Sequence, residues 1–253
     1  MAKEQTETQP AGTDVSMVDQ RLLGYFRAGY PVLYMVTAEE ERAEAQILTT
    51  VLSKHPDKDT TFSGRTKLYV WSCTDGTFQP GKADKPNVTL NDPIKALGWI
   101  KSNDERGSVY VMRDLHAFLQ GGAGITICRL IRDLCRELQK RLCNLVIIAP
   151  RAALPADLQR DVTLIDFDLP GRDQIVGVFN GLYQNNKKAM AGKGVEVDDD
   201  AREKIVEAAM GLTTTEAKNA FSLAIVEAAQ GRGQIADLVL REKALTVKKN
   251  GII

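Results

Sequence analysis

A chain of 253 residues, 43% apolar and 26% charged, has the make-up of a globular protein with one large α/β domain, or a medium domain and a small one. Its 33 basic side chains match its 33 acidic ones, which removes the net field that draws a protein to nucleic acid or an anionic membrane. Cys73, Cys128, Cys135 and Cys143 include no CxxC pair, and His55 and His116 are distant in sequence, so the chain reads as metal-free with buried thiols in a reducing compartment.

Residues 1–16 are polar, carry few large apolar groups and show no signal-peptide pattern; the reading is a disordered tail on a cytoplasmic protein. No apolar run approaches the ~20 residues a membrane helix needs. From 18 to 28, Val18, Leu22, Leu23, Tyr25 and Phe26 recur at helical spacing, and Gly29 and Pro31 end the helix. The run 32–36 (VLYMV) predicts a buried strand. Thr37 is placed as the cap of a helix over 38–52, with Ala43, Ile47 and Val51 on one face. A polar stretch at 53–66 leads to a second strand at 67–72 (KLYVWS). Residues 74–91, with Gly76, Pro80, Gly81 and Pro86, read as a long loop. Asp92 and Pro93 open the next helix. A third strand covers 109–112 (VYVM) and ends at Arg113 and Asp114. The glycines of GGAG at 121–124 predict a flexible segment before an amphipathic helix over 125–141. Residues 145–149 (LVIIA) and 162–167 (VTLIDF) give the fourth and fifth strands, and Trp71 and Trp99 read as core or interface anchors. Past Pro170 the strands cease. Helices follow at about 172–191, 199–209, 214–229 and 234–245, the third opened by the capping box Thr213-x-x-Glu216. The alternation predicts a parallel five-stranded α/β core over 17–170, then a helical lid subdomain over 171–253.

The joint between the first strand and its helix carries the functional signal. A nucleotide hydrolase joins such a strand to its helix with a glycine-rich loop ending in Lys and Ser/Thr. Here Thr37-Ala38-Glu39-Glu40-Glu41 holds no glycine and no lysine, and sets three carboxylates where a phosphate would meet the positive helix end.

The segments RAGYPVLYMVTAEEERAEAQI, YVWSCTDG, VYVMRDLHAFL, LVIIAPRAALPADLQRDVTLIDFDLP and GLTTTEAKNAF occur in this order from about residue 20 onward. Together they resemble the first module of the AAA ATPases of plastids and cyanobacteria known as hypothetical chloroplast reading frame proteins, and of their bacterial relatives. In that family a degenerate AAA module precedes an active one, and the terminal REKALTVKKNGII resembles the connector between them. The resemblance implies a P-loop NTPase-type sandwich with a helical lid, ATP and magnesium as the ligands of an active member, and assembly with itself or with an AAA ATPase module. It places the remnants of a nucleotide site at Thr37, Arg113, Asp114 and Ala149, and an inter-subunit arginine at Arg160.

Those positions depart from a working site. Arg113 puts a cation where magnesium needs a carboxylate. If Asp114 supplies that carboxylate, Leu115 stands where a residue must orient water, and Ala149 has no donor to offer as a sensor. Asp114 reads more simply as a strand-end residue capping the next turn, and His116 as hydrogen-bonded structure. In a ring-forming module the GGAG segment would line the pore; an ordinary connection is an equal reading. Arg129, Arg132, Arg136, Lys140 and Arg141 give 125–141 a basic face, but Asp133 and Glu137 are interspersed, which favours a solvated or subunit-facing surface over nucleic acid. The expectation is a non-hydrolysing AAA-like scaffold or assembly module with no catalytic residue, no metal and no assigned cofactor. The alternative is an AAA ATPase, as the front part of a two-module chain or with a divergent ATP site. A nucleic-acid adaptor is the weakest reading.

Overall fold

Six apolar runs pair edge to edge in a computed structural model that describes residues 17–52, 67–80, 85–193 and 195–250. The expected tail at 1–16 and the polar stretch at 53–66 lie outside the described residues. The strands are β1 (Val32–Val36), β2 (Lys67–Ser72), β3 (Gly76–Phe78), β4 (Ser108–Arg113), β5 (Asn144–Ala149) and β6 (Thr163–Asp166). Their order is β3-β2-β4-β5-β1-β6. Every ladder is parallel except β2 with β3.

The five expected strands are present, and β3 is a sixth, inside the stretch read as a loop. Gly76, at φ 73°, turns the chain so that Ser72 pairs with Gly76 and Val70 with Phe78. A Cβ at Gly76 would sit 2.0 Å from the Asn87 carbonyl oxygen, so only glycine fits this hairpin. Three residues are too few to show an alternating pattern in sequence.

Period-two alternation sends side chains to both faces of the sheet. Tyr34, Tyr110, Met112, Leu145 and Ile147 pack on one face with α3 (Pro93–Ser102) and α4 (Gly121–Arg141), through Leu97, Ile131 and Leu134. Leu33, Met35, Val111, Val146 and Ile148 pack on the other with α1 (Met17–Arg27) and α2 (Glu40–Leu52), through Phe26 and Ile47. Both faces are closed, which is why β5 reads as an unbroken apolar run. Each of these side chains contributes about 1.5–3 kcal/mol by leaving water. Trp71 is buried in this core and its indole donates to the Leu90 carbonyl at 2.6 Å.

Two helix starts correct the sequence reading. GGAG is not a flexible segment: with Gln120 at the cap position, Gly121 to Gly124 form the first turn of α4. Gly124 is buried, and a Cβ there would lie 2.5 Å from the Leu119 carbonyl oxygen. Helix α2 begins at Glu40, and Thr37 accepts the Glu39 N–H at 3.0 Å from two residues ahead of the cap position. Glu39 itself takes the cap position, its carbonyl accepting the Ala43 N–H at 3.0 Å.

The chain divides into two units, Met1–Phe167 and Asp168–Ile253. The second consists of α5 (Arg172–Ala191), α6 (Asp199–Ala209), α7 (Thr214–Ala228) and α8 (Ile235–Asn250) around Phe179, Tyr183, Ile205, Phe221 and Val239. The capping box of α7 forms as expected, with Thr213 and Glu216 satisfying each other's backbone N–H. No helix among the described residues is long and apolar enough to cross a membrane.

Candidate functional site

The strand order singles out one corner. From β1 the chain runs through α2 toward β2 on one side; from neighbouring β5 it crosses to β6 on the other. Such a divergence opens a crevice outside the carboxyl ends of the strands, the usual ligand position in open α/β sheets. Thr37, Arg113, Asp114 and Ala149 all lie at this edge. The Thr37 N–H donates to the Ala149 carbonyl at 2.8 Å, and the Asp114 N–H to the Ile148 carbonyl at 2.9 Å.

The joint from β1 to α2 is three residues long, Thr37 to Glu39. Its side chains are used internally. Thr37 and Glu39 are both buried. The Glu39 carboxylate accepts from Arg42 Nε at 3.1 Å and from its terminal nitrogen at 2.6 Å, and the Arg42 guanidinium lies 4.0 Å from the Phe167 ring centroid.

Arg113 is held from α2. Its Nε and one terminal nitrogen donate to the two Glu44 oxygens at 2.5 and 2.7 Å, with Glu40 3.6 Å away. The Glu44 carboxylate therefore raises the guanidinium above its usual pKa. Burial pushes the Glu40 carboxyl up; the carboxylates of Asp114, Glu44 and Glu41 add to this, against the pull of Arg113. Asp114 adopts the left-handed conformation at φ 52° and ψ 23°. It occupies the cap position of the short turn Leu115–Phe118, but its side chain makes no capping hydrogen bond, contrary to the sequence reading. Its Oδ1 stands 3.5 Å from Nδ1 of buried His116, which meets no hydrogen-bond partner among the described residues. The reading of His116 as hydrogen-bonded structure fails at that nitrogen. Leu115 is fully buried in the core. The Tyr34 hydroxyl donates to the Arg151 carbonyl at 2.6 Å and accepts the Ala153 N–H at 3.3 Å, fastening the segment after β5 to β1. Burial raises that hydroxyl's pKa.

These residues do not fit a magnesium–triphosphate group. A phosphate cradle needs a run of free backbone N–H groups and an ammonium group. This corner offers a three-residue joint and carboxylates, and the cation at the end of β4 is neutralised by Glu44. Sequence reasoning named Glu39 among the carboxylates of the joint but missed Glu44 and Tyr34 as parts of this corner; nothing local to Arg113 pointed to Glu44, 69 residues away.

Arg160 lies elsewhere. It is exposed, precedes β6, and lines a groove of about 640 Å³ at the amino ends of the strands together with Tyr30, Lys101, Arg129, Arg132 and Arg136. The structure thus brings Thr37, Arg113, Asp114 and Ala149 to one edge of the sheet and sets Arg160 at the other.

Comparison with known proteins agrees with this architecture. A model described as SpoVK-like AAA ATPase, N-terminal domain, matches residues 18–167, and one described as the second domain matches 173–250. The uncharacterized AAA domain-containing protein ycf46 of Guillardia theta is 25% identical over 231 residues, covering 90% of this chain and 41% of that protein. The protein of the same name in Trieres chinensis is 23% identical over 237 residues, covering 93% and 43%. The chain therefore spans about two fifths of the length of these curated relatives. A Thermotoga maritima RuvB variant is 17% identical with a TM-score of 0.50, covering 92% of this chain and 69% of that one, a likeness of fold alone. With both units matched in succession and the expected plastid relatives recovered, the chain belongs to the SpoVK-like AAA ATPase family.

Proposed function

We propose that this chain is a non-hydrolysing AAA module of a cytoplasmic protein, one that assembles with itself or with an active AAA ATPase module. The observation that carries the reading is the joint between β1 and α2. Three residues connect strand and helix with neither the glycines nor the lysine of a P-loop, and the Glu39 side chain is buried there against Arg42. The end of β4 supports it, because Arg113 stands where a metal-binding carboxylate belongs and Leu115 is turned into the core. The sheet, its helices and the helical unit keep their cores regardless, since those depend on apolar burial and not on nucleotide.

Calorimetric titration of the 253-residue chain with ATP and magnesium tests this. No saturable heat and no phosphate release above a buffer blank are expected. Micromolar binding or steady turnover overturns the reading.

A second reading is favoured by coverage. The matched models are described as first and second domains, and the relatives are more than twice as long as the matched region. In such a chain an ATPase site elsewhere supplies the hydrolysis, and the present module serves as its scaffold. Nucleic acid is a poor partner for either reading, because most cations of α4 are already matched by carboxylates.

A further inference from the structure

The helical unit has a concavity of its own. A cleft of about 470 Å³ lies between the segment leading into α6 and the link from α7 to α8. Its floor is apolar: Ile205, Ala228 and Ile235 are buried there, and Ala236 is half-buried beside them. Val195 and Val197 line the cleft too, half-buried and packed against the helical core. An apolar side chain laid on such a floor gains ~0.8 kcal/mol for each methylene removed from water.

The mouth of the cleft is acidic. Glu196, Asp198 and Asp200 are exposed there against a single cation, Lys204. Asp198 has work inside the chain, since its carboxylate accepts the Ala201 N–H at 2.7 Å as the cap of α6. Glu196 and Asp200 have no ion pair among the described residues. A carboxylate in the first turn of a helix is favoured by the helix dipole, which accounts for Asp200. Glu196 lies three residues ahead of α6, between the two valines, and that account does not reach it. The starts of α6 and α8 both border the cleft and bring about half a positive charge each. With Lys204 they fall short of the three carboxylates.

The carboxylates are spread along the mouth and do not converge on one point. Among the described residues no three His, Cys, Asp or Glu side chains could hold a metal ion together. The arrangement therefore suits cations borne on separate side chains. Lysine and arginine fit it twice over, because their apolar stems cover apolar surface while the charged heads stay at the rim.

We infer that this cleft receives a segment of a partner protein that carries lysine or arginine on either side of apolar residues. The apolar side chains rest on Ile205, Ile235 and Ala236, and the cations meet Glu196 and Asp200. The contact lies wholly within the helical unit, so it depends neither on nucleotide nor on assembly of the module.

Fluorescence anisotropy with the full chain tests this. The probe is a labelled Lys-Lys-Leu-Val-Lys-Lys peptide, and Glu-Glu-Leu-Val-Glu-Glu is its charge-reversed counterpart. Saturable binding of the basic probe is expected, at least ~10-fold tighter than that of the acidic one and weaker as salt is raised. Glu196→Lys/Asp200→Lys is expected to weaken it by ~10-fold or more. Ala236→Trp, which fills the floor without changing charge, is expected to weaken it by a similar factor. Glu41→Lys, an acidic-to-basic change in the sheet unit, is expected to leave it unchanged. Thermal melts identify a misfolded variant, and Glu196→Gln then replaces it, with a several-fold loss expected. No saturable binding of the basic probe up to ~1 mM overturns the inference. Binding that survives Glu196→Lys/Asp200→Lys removes the cleft as the site, and equal loss on Glu41→Lys reduces it to a general effect of charge. Binding that is indifferent to Ala236→Trp overturns the part assigned to the apolar floor.

Discussion

Arg113 is the residue that ties the end of β4 to α2. Its guanidinium donates to both oxygens of Glu44, whose side chain keeps only 12% of its exposure. Replacing Arg113 by Met strips a nearly buried carboxylate of its cation, and about 1–3 kcal/mol of stability should be lost. The Arg113→Met/Glu44→Leu chain should recover most of that, since an apolar pair leaves no desolvated charge behind. Urea midpoints of the parent, single and double variants check this; a double variant as unstable as the summed single losses refutes it. The sequence displayed half of the arrangement. Arg113 in place of an acid and the acidic start of α2 were both visible, while their meeting depends on β4 and α2 being neighbours in space. Asp114 was visible as a strand-end carboxylate, weighed as a metal ligand and as a turn cap. Its left-handed backbone, which Asp tolerates better than most residues, leaves no mark in a hydrophobic pattern.

Elements reveal where pattern reading succeeds and fails. β1, β4 and β5 could be read because an apolar run closed on both faces has few other uses. β3 could not, because three residues carry no period. The start of α4 went wrong for an instructive reason. Glycine costs a helix about 1 kcal/mol relative to alanine, so Gly121, Gly122 and Gly124 argued for a loop. Tertiary contact overrules that preference: Gly124 lets the first turn rest on the Leu119 carbonyl, whereas Gly122 has open space around it. The two positions should therefore respond to alanine with opposite sign. Gly122→Ala should stabilise by about 0.5–1 kcal/mol through the less flexible unfolded chain. Gly124→Ala should destabilise by about 1–3 kcal/mol as the added methyl meets backbone. Chemical denaturation of both single variants decides it, and a stabilising Gly124→Ala would show that the first turn does not sit where described.

At the scale of the whole molecule, totals conceal organisation. A formal charge of zero argued against a strongly charged surface, yet Arg129, Arg132, Arg136 and Arg160 all line one groove of the sheet unit. The helical unit was legible from the end of the strand pattern, and its core shows why it can stand by itself. Phe179 packs edge-on to Phe221 at 5.2 Å and stacks with Tyr183 at 5.8 Å, among residues drawn entirely from α5 to α8 and their links. A unit with its own core is expected to unfold by its own transition. The tryptophans offer a way to see this, because Trp71 and Trp99 are the two in the chain and both lie in the sheet unit. Their fluorescence reports that unit, whereas far-ultraviolet circular dichroism reports both. Phe221→Ala opens a cavity in a fully buried site and should cost the helical unit about 3–5 kcal/mol. In a urea titration the dichroism should then show an early loss of helix, while the tryptophan transition keeps the midpoint of the parent chain. If both signals shift together, the two cores unfold as one cooperative block, and burial within α5 to α8 does not by itself set the stability of that unit.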